Sequence, residues 1–175
     1  MRLIGLDPGL RVTGWGIIDA VDGRLRHVAN GVVHSKASNA MAQRLCAIHD
    51  GIARVIKTYG PESAAVEEIF VNRNPQSTLK LGLARGVVLL VPARAELEVA
   101  EYAANQVKKS VTGTGHAAKD QVKMMVKTLL PMAEIETADA ADALAVAICH
   151  AHYLETAGHW GVSRLGKGAA LEARR

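Results

Sequence analysis

Three β-rich segments separated by tight turns open this chain, and they restrict its possible folds more than any other feature. The segments span residues 2–7, 13–19 and 24–33. Pro8-Gly9 lies in the first connection, and Asp22-Gly23, a pair typical of hairpin turns, forms the second. Because parallel strands need a longer crossover, these connections predict consecutive antiparallel strands. The chain should therefore begin with a three-stranded antiparallel sheet.

Helices and strands alternate after this sheet. Apolar spacing predicts helices over 38–60, 75–91, 117–130 and about 138–157, and strands over 63–67 and 96–102. The helix at 75 should be capped by Asn74, begin at Pro75 and end before Pro92. The pattern indicates an α/β fold with a mixed five-stranded sheet and helices on both faces.

The length of 175 residues predicts one domain, over residues 1–158, followed by a basic and disordered tail over 159–175. The longest apolar run, 87–93, is far shorter than a membrane span. Since the N-terminus reads as a strand rather than a signal peptide, we expect a cytoplasmic protein. Cys46 and Cys149 lie among apolar residues and are predicted to be reduced and in the core.

Positive charge is concentrated in one internal segment. Residues 104–130 contain five lysines against the single acidic residue Asp120, whereas the whole chain has a net charge of only +4. Clustered cations favour a polyanionic partner, because neutralising phosphates releases counterions. A solvated helix surface is the alternative interpretation.

Acidic residues occur at the ends of predicted strands and at the start of a predicted helix. Asp7 ends the first strand, and either Glu67 or Glu68, at the end of strand 63–67, should face the same cleft. Asp139 and Asp142 are three residues apart and share one helix face, among alanines that allow close packing on the sheet. Caps or surface charges are the alternative for each acid taken alone.

A cluster of carboxylates without histidine or cysteine suits Mg²⁺, with Mn²⁺ as a substitute, better than Zn²⁺. Two such ions can stabilise the attacking and leaving oxygens of a phosphodiester. The sequence thus predicts two ions per site and phosphodiester hydrolysis.

Several ordered motifs then resemble the RuvC family of Holliday-junction resolvases. They are the start Gly5-Leu6-Asp7-Pro8-Gly9, the segment Ala65-Val66-Glu67-Glu68, the run from Leu79 to Val87, and Ala138-Asp139-Ala140-Ala141-Asp142. The resemblance implies a ribonuclease H-like fold, a homodimer and Mg²⁺-dependent nicking of two opposed strands in a four-way DNA junction. It also implies a branch-migration helicase partner of the RuvA and RuvB type, and it favours Glu67 over Glu68, so that the metal-binding and catalytic set becomes Asp7, Glu67, Asp139 and Asp142.

Further residues acquire roles through the same resemblance. Phe70 is expected to stack on unpaired bases at the junction centre, although a side chain that anchors the loop is the alternative. Arg73 is expected to contact DNA. Lys108 and Lys119, which flank Gly113-Thr114-Gly115, are expected to grip phosphates near the site.

One face of helix 75–91 combines leucines and glycines at helical offsets. Small residues four apart allow close approach of a partner helix, so this face is predicted to form the dimer contact, with a core face as the alternative. The residues are Leu79, Gly82, Leu83, Gly86 and Leu90.

Three other functions are alternatives to junction resolution. An actin-like ATPase would need a second lobe that 175 residues do not supply. A non-catalytic relative would normally lack at least one of the four carboxylates. A related nuclease with a different nucleic-acid substrate is the strongest alternative, because the acids specify the reaction and not the shape that is cut.

Overall fold

A single mixed sheet forms the centre of the molecule. The computed structural model describes residues 1–68 and 74–159, with only the backbone of 157–159. The strands are β1 (Arg2–Asp7), β2 (Val12–Val21), β3 (Arg24–His34), β4 (Ser63–Glu67) and β5 (Glu98–Tyr102). Their order is β3-β2-β1-β4-β5; β1, β2 and β3 pair antiparallel, and β4 is parallel to both β1 and β5. The predicted α/β class and three antiparallel strands are confirmed.

Helices cover both faces of this sheet, as the sequence pattern predicted. The helices are α1 (Met41–Tyr59), α2 (Pro75–Arg94), α3 (Ala104–Thr112), α4 (Lys119–Leu129) and α5 (Ala138–His159). Alternate residues of β1 enter two separate cores: Leu3 packs with α3, α4 and α5, whereas Ile4 and Leu6 pack with α1 and α2. This division follows from the two-residue period of a strand.

Helix α5 lies almost directly on the sheet backbone. A Cβ atom at Gly5 would come within 2.2 Å of the carbonyl oxygen of Ala143, and one at Gly14 within 2.0 Å of the carbonyl oxygen of Asp139. No side chain fits in these gaps, so glycine on the strands and alanine on the helix together set the distance between α5 and the sheet. The tight packing predicted from the alanines is confirmed, and its glycine counterpart was not predicted.

One predicted helix end was wrong, and one helix was missed. Helix α2 continues through Pro92 to Arg94, because a proline in the last turn removes only one hydrogen bond. Helix α3 was not predicted at all: it is short, and only Val107 and Val111 are buried on it. Gly113, which follows α3 with a φ of 81°, is the sequence signal that could have marked its end.

The two cysteines lie in different environments. Cys149 is buried as expected, but Cys46 is exposed, because it lies on a face of α1 that turns away from the sheet. No helix among residues 1–68 and 74–159 has the length and apolar character required to cross a bilayer. The predicted tail over 159–175 lies outside the described residues, except for the last residue of α5.

Candidate active site

Asp7 and Glu67 lie side by side at one edge of the sheet. In the parallel pairing of β1 with β4, Leu6 is opposite Val66, and each acid comes one residue later. Neighbouring strands are about 4.8 Å apart, so both side chains project from adjacent positions on the face covered by α5. Glu68, the alternative that the sequence left open, lies beyond the end of β4 with its side chain exposed.

The turn after Asp7 is tied down by side chains on other elements. The fully buried Thr13 donates its hydroxyl hydrogen to the carbonyl oxygen of Gly9 at 2.7 Å. Arg44 of α1 donates to the carbonyl oxygen of Leu10 at 3.2 Å, and the Ser35 hydroxyl donates to the same oxygen. The turn that follows Asp7 is therefore held by β2, by the residue after β3 and by α1.

The first turns of α5 bring two more acids to the same edge. Thr137 caps this helix, because its hydroxyl oxygen accepts a hydrogen bond from the backbone N–H of Ala140 at 3.2 Å. Asp139 lies in the first turn, where the helix dipole favours a negative charge. Gly14, which is opposite Asp7 in the β1–β2 pairing, allows the Asp139 backbone to approach the sheet.

The four acids share one electrostatic environment. Burial, with repulsion from Glu67, Asp142 and Asp139, raises the pKa of Asp7 to about 8. Burial also raises the pKa of Glu67, with a contribution from Asp142, and burial raises the pKa of Asp142. The raised pKa favours the protonated form of the Asp7 carboxyl group at neutral pH, beside the carboxylate of Glu67. Raised carboxyl pKa values on chain-distant elements are typical of a functional site.

Both lysines that were predicted to bind DNA act electrostatically on this cluster. Lys119, at the start of α4, places its Nζ 3.6 Å from Oδ2 of Asp142 and is 81% exposed. The positive charge of Lys119 lowers the pKa of Asp7, Glu67 and Asp142, and that of Lys108 lowers the pKa of Glu67 and Asp142. A phosphate at the acids would thus meet both ammonium groups.

The donor set fits a hard divalent cation in its chemistry. It consists of carboxylate oxygens alone, and their mutual repulsion is now relieved by a proton on Asp7 and by the Lys119 ammonium. Across residues 1–68 and 74–159, however, no group of three or more His, Cys, Asp or Glu side chains is arranged so that it could hold an ion. Binding a cation therefore requires the loss of the Asp7 proton and new side-chain rotamers, while the backbone positions are already set.

An arginine that the sequence analysis did not single out connects α2 to the acid-bearing edge. Arg85 donates from Nε to the carbonyl oxygen of Glu67 at 3.5 Å and forms an ion pair with Glu101 of β5. Since Glu101 is opposite Val66 in the β4–β5 pairing, Arg85 spans both strands next to Glu67. The signal in the sequence was an arginine among the apolar and small residues of α2.

The other predicted residues fall on α2 or outside the described part of the chain. Phe70 and Arg73 lie in the gap 69–73, which the structure does not describe. The α2 face is exposed: Leu79 is 69% and Leu83 43% accessible, and nothing lies within 4 Å of a Cβ built at Gly82 or Gly86. The core face of α2 is formed instead by Ala84, Val88 and Val91, so the alternative that the leucine and glycine face is a core face is wrong.

Comparison with known proteins decides the family. The family model described as Crossover junction endodeoxyribonuclease RuvC matches residues 3–150, a stretch that contains all four acids. This chain belongs to the RuvC family. The crossover junction endodeoxyribonuclease RuvC of Paramagnetospirillum magneticum is 70% identical over 89% of this chain and 94% of its own length. That of Rhodospirillum rubrum is 62% identical over 96% of this chain and 99% of its own length.

Solved structures agree with this assignment. Thermus thermophilus RuvC in complex with a Holliday junction substrate superposes with a TM-score of 0.83 at 34% identity, covering 89% of this chain and 96% of that one. The yeast mitochondrial Holliday junction resolvase Ydc2 shares the fold, with a TM-score of 0.67, at only 9% identity. The fold is therefore that of RuvC, which is ribonuclease H-like, and the chain is an endonuclease of a family that uses divalent metal ions.

Proposed function

We propose that this RuvC-family protein resolves four-way DNA junctions during homologous recombination and repair, by paired and symmetric Mg²⁺-dependent nicks. The observation that carries the proposal is the convergence of Asp7, Glu67 and Asp142 in one electrostatic cluster, next to Asp139, within a fold that matches a junction-bound RuvC over nearly its whole length.

The four acids would act as the metal ligands, and two ions are proposed per site. Bound Mg²⁺, or Mn²⁺ in its place, would polarise the scissile phosphate and stabilise both the attacking and the leaving oxygens. Asp7 and Glu67 project from the rigid ends of neighbouring strands, whereas Asp139 and Asp142 project from α5. Asp7 must release its proton first. Attack of a water oxygen on the scissile phosphorus, with loss of the 3′ oxygen as the leaving group, would give a nick with a 5′-phosphate and a 3′-hydroxyl.

Substrate binding would involve the residues around the acids. Lys108 and Lys119 lie within the field of the carboxylates, where they would hold the phosphates on either side of the cut. Phe70 and Arg73 follow β4 directly in sequence and remain proposed DNA contacts, Phe70 by stacking on unpaired bases.

A homodimer would supply the two cuts. The exposed apolar face of α2, formed by Leu79, Gly82, Leu83, Gly86 and Leu90, is the proposed two-fold contact. Its glycines would let the partner helix approach closely. Because a junction has two equivalent strands, a two-fold dimer places one site on each.

The cellular setting of this activity is also a proposal. We place the protein in the cytoplasm, where it would reach chromosomal junctions. A branch-migration helicase of the RuvA and RuvB type would deliver the junction, an expectation that rests on the family alone.

Cleavage of labelled synthetic substrates tests the proposed function. A four-way junction, a linear duplex and an RNA–DNA hybrid should be compared with Mg²⁺, with Mn²⁺ and with chelator. We expect symmetric nicks in the junction only, dependent on the metal. Preferential cutting of the duplex or hybrid would contradict the proposal and favour a related nuclease with another substrate.

Substitution of one acid separates binding from catalysis. Asp139→Asn should abolish cleavage and leave junction affinity equal or higher, because it removes a negative charge from the DNA face. Asp120→Asn, an exposed acid in the first turn of α4, is the matched control and should cut normally. An Asp139→Asn protein that cuts at the parental rate would show that the metal assignment is wrong.

A further inference from the structure

A polar cleft lies between α3 and α5, beside the connection that joins α3 to α4. Its volume is about 960 Å³. The chemically active part of its lining comes from both helices and the connection: Lys109, Ser110, Thr114, His116, His152 and Thr156. None of these residues belongs to the candidate active site described above.

The lining of the cleft contains basic and neutral polar side chains and no acidic ones. It contains one ammonium group, two imidazoles, hydroxyls and two side-chain amides, and no residue of the lining carries a carboxylate. Ser110 and His152 are hydrogen-bonded through Oγ and Nδ1 at 3.0 Å, a contact that joins α3 to α5 and engages one ring nitrogen, so Nε2 is the nitrogen that a ligand would contact. Converging donors without acids suit an anion with several oxygens, and the phosphate group is the usual one.

Helix α3 connects this cleft to the acid cluster. Lys108 and Lys109 are consecutive, so they project about 100° apart around the helix. Lys108 acts electrostatically on Glu67 and Asp142, whereas the exposed Lys109 lines the cleft. One helix therefore presents one lysine to the acids and the next to a second polar surface.

Helix α5 sets the spacing between the two surfaces. Asp142 belongs to the acid cluster and His152, ten residues later, to the cleft, which corresponds to ~15 Å along the helix. A DNA strand advances ~3.4 Å per nucleotide along the duplex axis. The separation therefore corresponds to about four or five nucleotides.

We propose that the α3–α5 cleft binds a backbone phosphate of the DNA arm about four or five nucleotides from the scissile phosphate. This inference rests on the proposed junction-cleaving function and adds a second contact point to it. The cleft would orient the arm relative to the acids, with Lys109 as its main charge and His116 and His152 as donors.

The first test is junction binding in chelator, where no cleavage occurs. Lys109→Gln should bind a four-way junction about fivefold to eightfold more weakly at 0.1 M salt, with a salt slope smaller by about 0.9, the values for one lost phosphate contact. Lys57→Gln is the matched control, since Lys57 is also exposed but lies on α1, across the sheet. It should bind like the parent protein.

The second test places the contact on the DNA. Single uncharged methylphosphonate linkages are introduced three to six nucleotides from the cut, on each side. A linkage at the contacted position should weaken binding of the parent protein severalfold and have little effect on Lys109→Gln, because the same contact is already lost.

The outcomes separate this inference from the function on which it rests. Equal affinities for Lys109→Gln and Lys57→Gln, or neutral linkages that weaken both proteins alike, would overturn the cleft assignment while leaving junction cleavage intact. A parent protein that does not cut junctions would overturn the proposed function and this inference with it.

Discussion

At the scale of the residue, the candidate site is built from groups that destabilise the fold on their own. Asp7 and Glu67 are partly desolvated beside each other, and the proton on Asp7 relieves part of their repulsion. A cation bound there would replace that proton and interact with carboxylates whose backbone positions are already set. The same residues therefore connect metal affinity, pH and stability.

The first prediction concerns the pH dependence of the metal-free protein. The pKa of Asp7 is raised from 3.8 to about 8, so between these values the folded state binds more protons than the unfolded state. Stability in chelator should therefore fall as pH rises from about 4 to 8. Asp7→Asn should remove this loss and be more stable than the parent at pH 8 by about 1–3 kcal/mol, measured by urea unfolding.

Two further measurements complete that test. The difference in stability between the Asp7→Asn variant and the parent should vanish below about pH 3, under the ordinary Asp pKa of 3.8, where the parent carboxyl is protonated in both states. Mg²⁺ should raise the Tm of the parent at pH 8 and leave that of the variant nearly unchanged. A parent that is as stable as the variant at pH 8 in chelator would contradict the proposed burial of charge.

A single added methyl group provides the second prediction. Gly14→Ala would place a Cβ 2.0 Å from the carbonyl oxygen of Asp139, so the start of α5 must move away from β2. We expect a loss of about 1–3 kcal/mol in the free energy of unfolding. Cleavage should fall by more than this loss of folded protein explains, because Asp139 moves with α5. Parental stability and activity would show that α5 does not depend on this contact.

At the scale of the element, α2 separates two functions on opposite faces. Ala84, Val88 and Val91 pack in the core with α1, and Arg85 reaches the end of β4. The opposite face presents leucines and glycines to solvent. An apolar face that is exposed in one protomer is the kind of surface that a symmetric contact buries.

The third prediction tests that face. Leu79→Glu or Leu83→Glu should convert the proposed dimer to a monomer in sedimentation, since each would bury a charge twice across a two-fold contact. Met124→Glu, on α4, is the matched control, because Met124 is exposed to a similar degree, 61% against 69% for Leu79, and lies on another helix. Equal effects of Leu79→Glu and Met124→Glu on the oligomeric state would contradict the proposal that this face of α2 is the dimer contact.

At the scale of the whole molecule, acidic and basic groups meet at one edge of the sheet. The carboxyl ends of β1 and β4 and the start of α5 supply the acids, while α3 and the start of α4 supply lysines beside them. The ammonium groups of these lysines would offset the repulsion between the acids and a DNA backbone. Binding should therefore depend on salt even though the net charge of the chain is only +4.

The fourth prediction measures that dependence. The logarithm of the junction association constant should fall linearly with the logarithm of salt concentration, and Lys108→Ala should lower both the affinity and the slope, the slope by about 0.9. The Tm should change little. Arg54→Ala, an exposed substitution on α1 across the sheet, should leave both values unchanged. Junction binding that does not vary with ionic strength would reject the basic-surface interpretation.

The sequence by itself determined the elements that depend on local chemistry. Asp22-Gly23 places the hairpin between β2 and β3, and Asn74 caps α2 through hydrogen bonds to the N–H groups of Gln76 and Ser77. Pro8-Gly9, directly after Asp7, put that carboxylate at a strand end, and the spacing of Asp139 and Asp142 put both on one helix face. Such signals act over a few residues, so they can be read without knowing what packs against them.

Only the tertiary structure decided which distant residues meet and how closely α5 approaches the sheet. Geometry favours Glu67 over Glu68 because the β1–β4 register sets Glu67 beside Asp7, a pairing between residues 60 positions apart. The closeness of α5 to the sheet needs Gly5 and Gly14 opposite its backbone, and an isolated glycine in a strand does not reveal what it accommodates. Arg85 and the α3–α5 cleft were missed for the same reason: their partners lie on other elements, and their chemistry arises from the contact rather than from any local pattern.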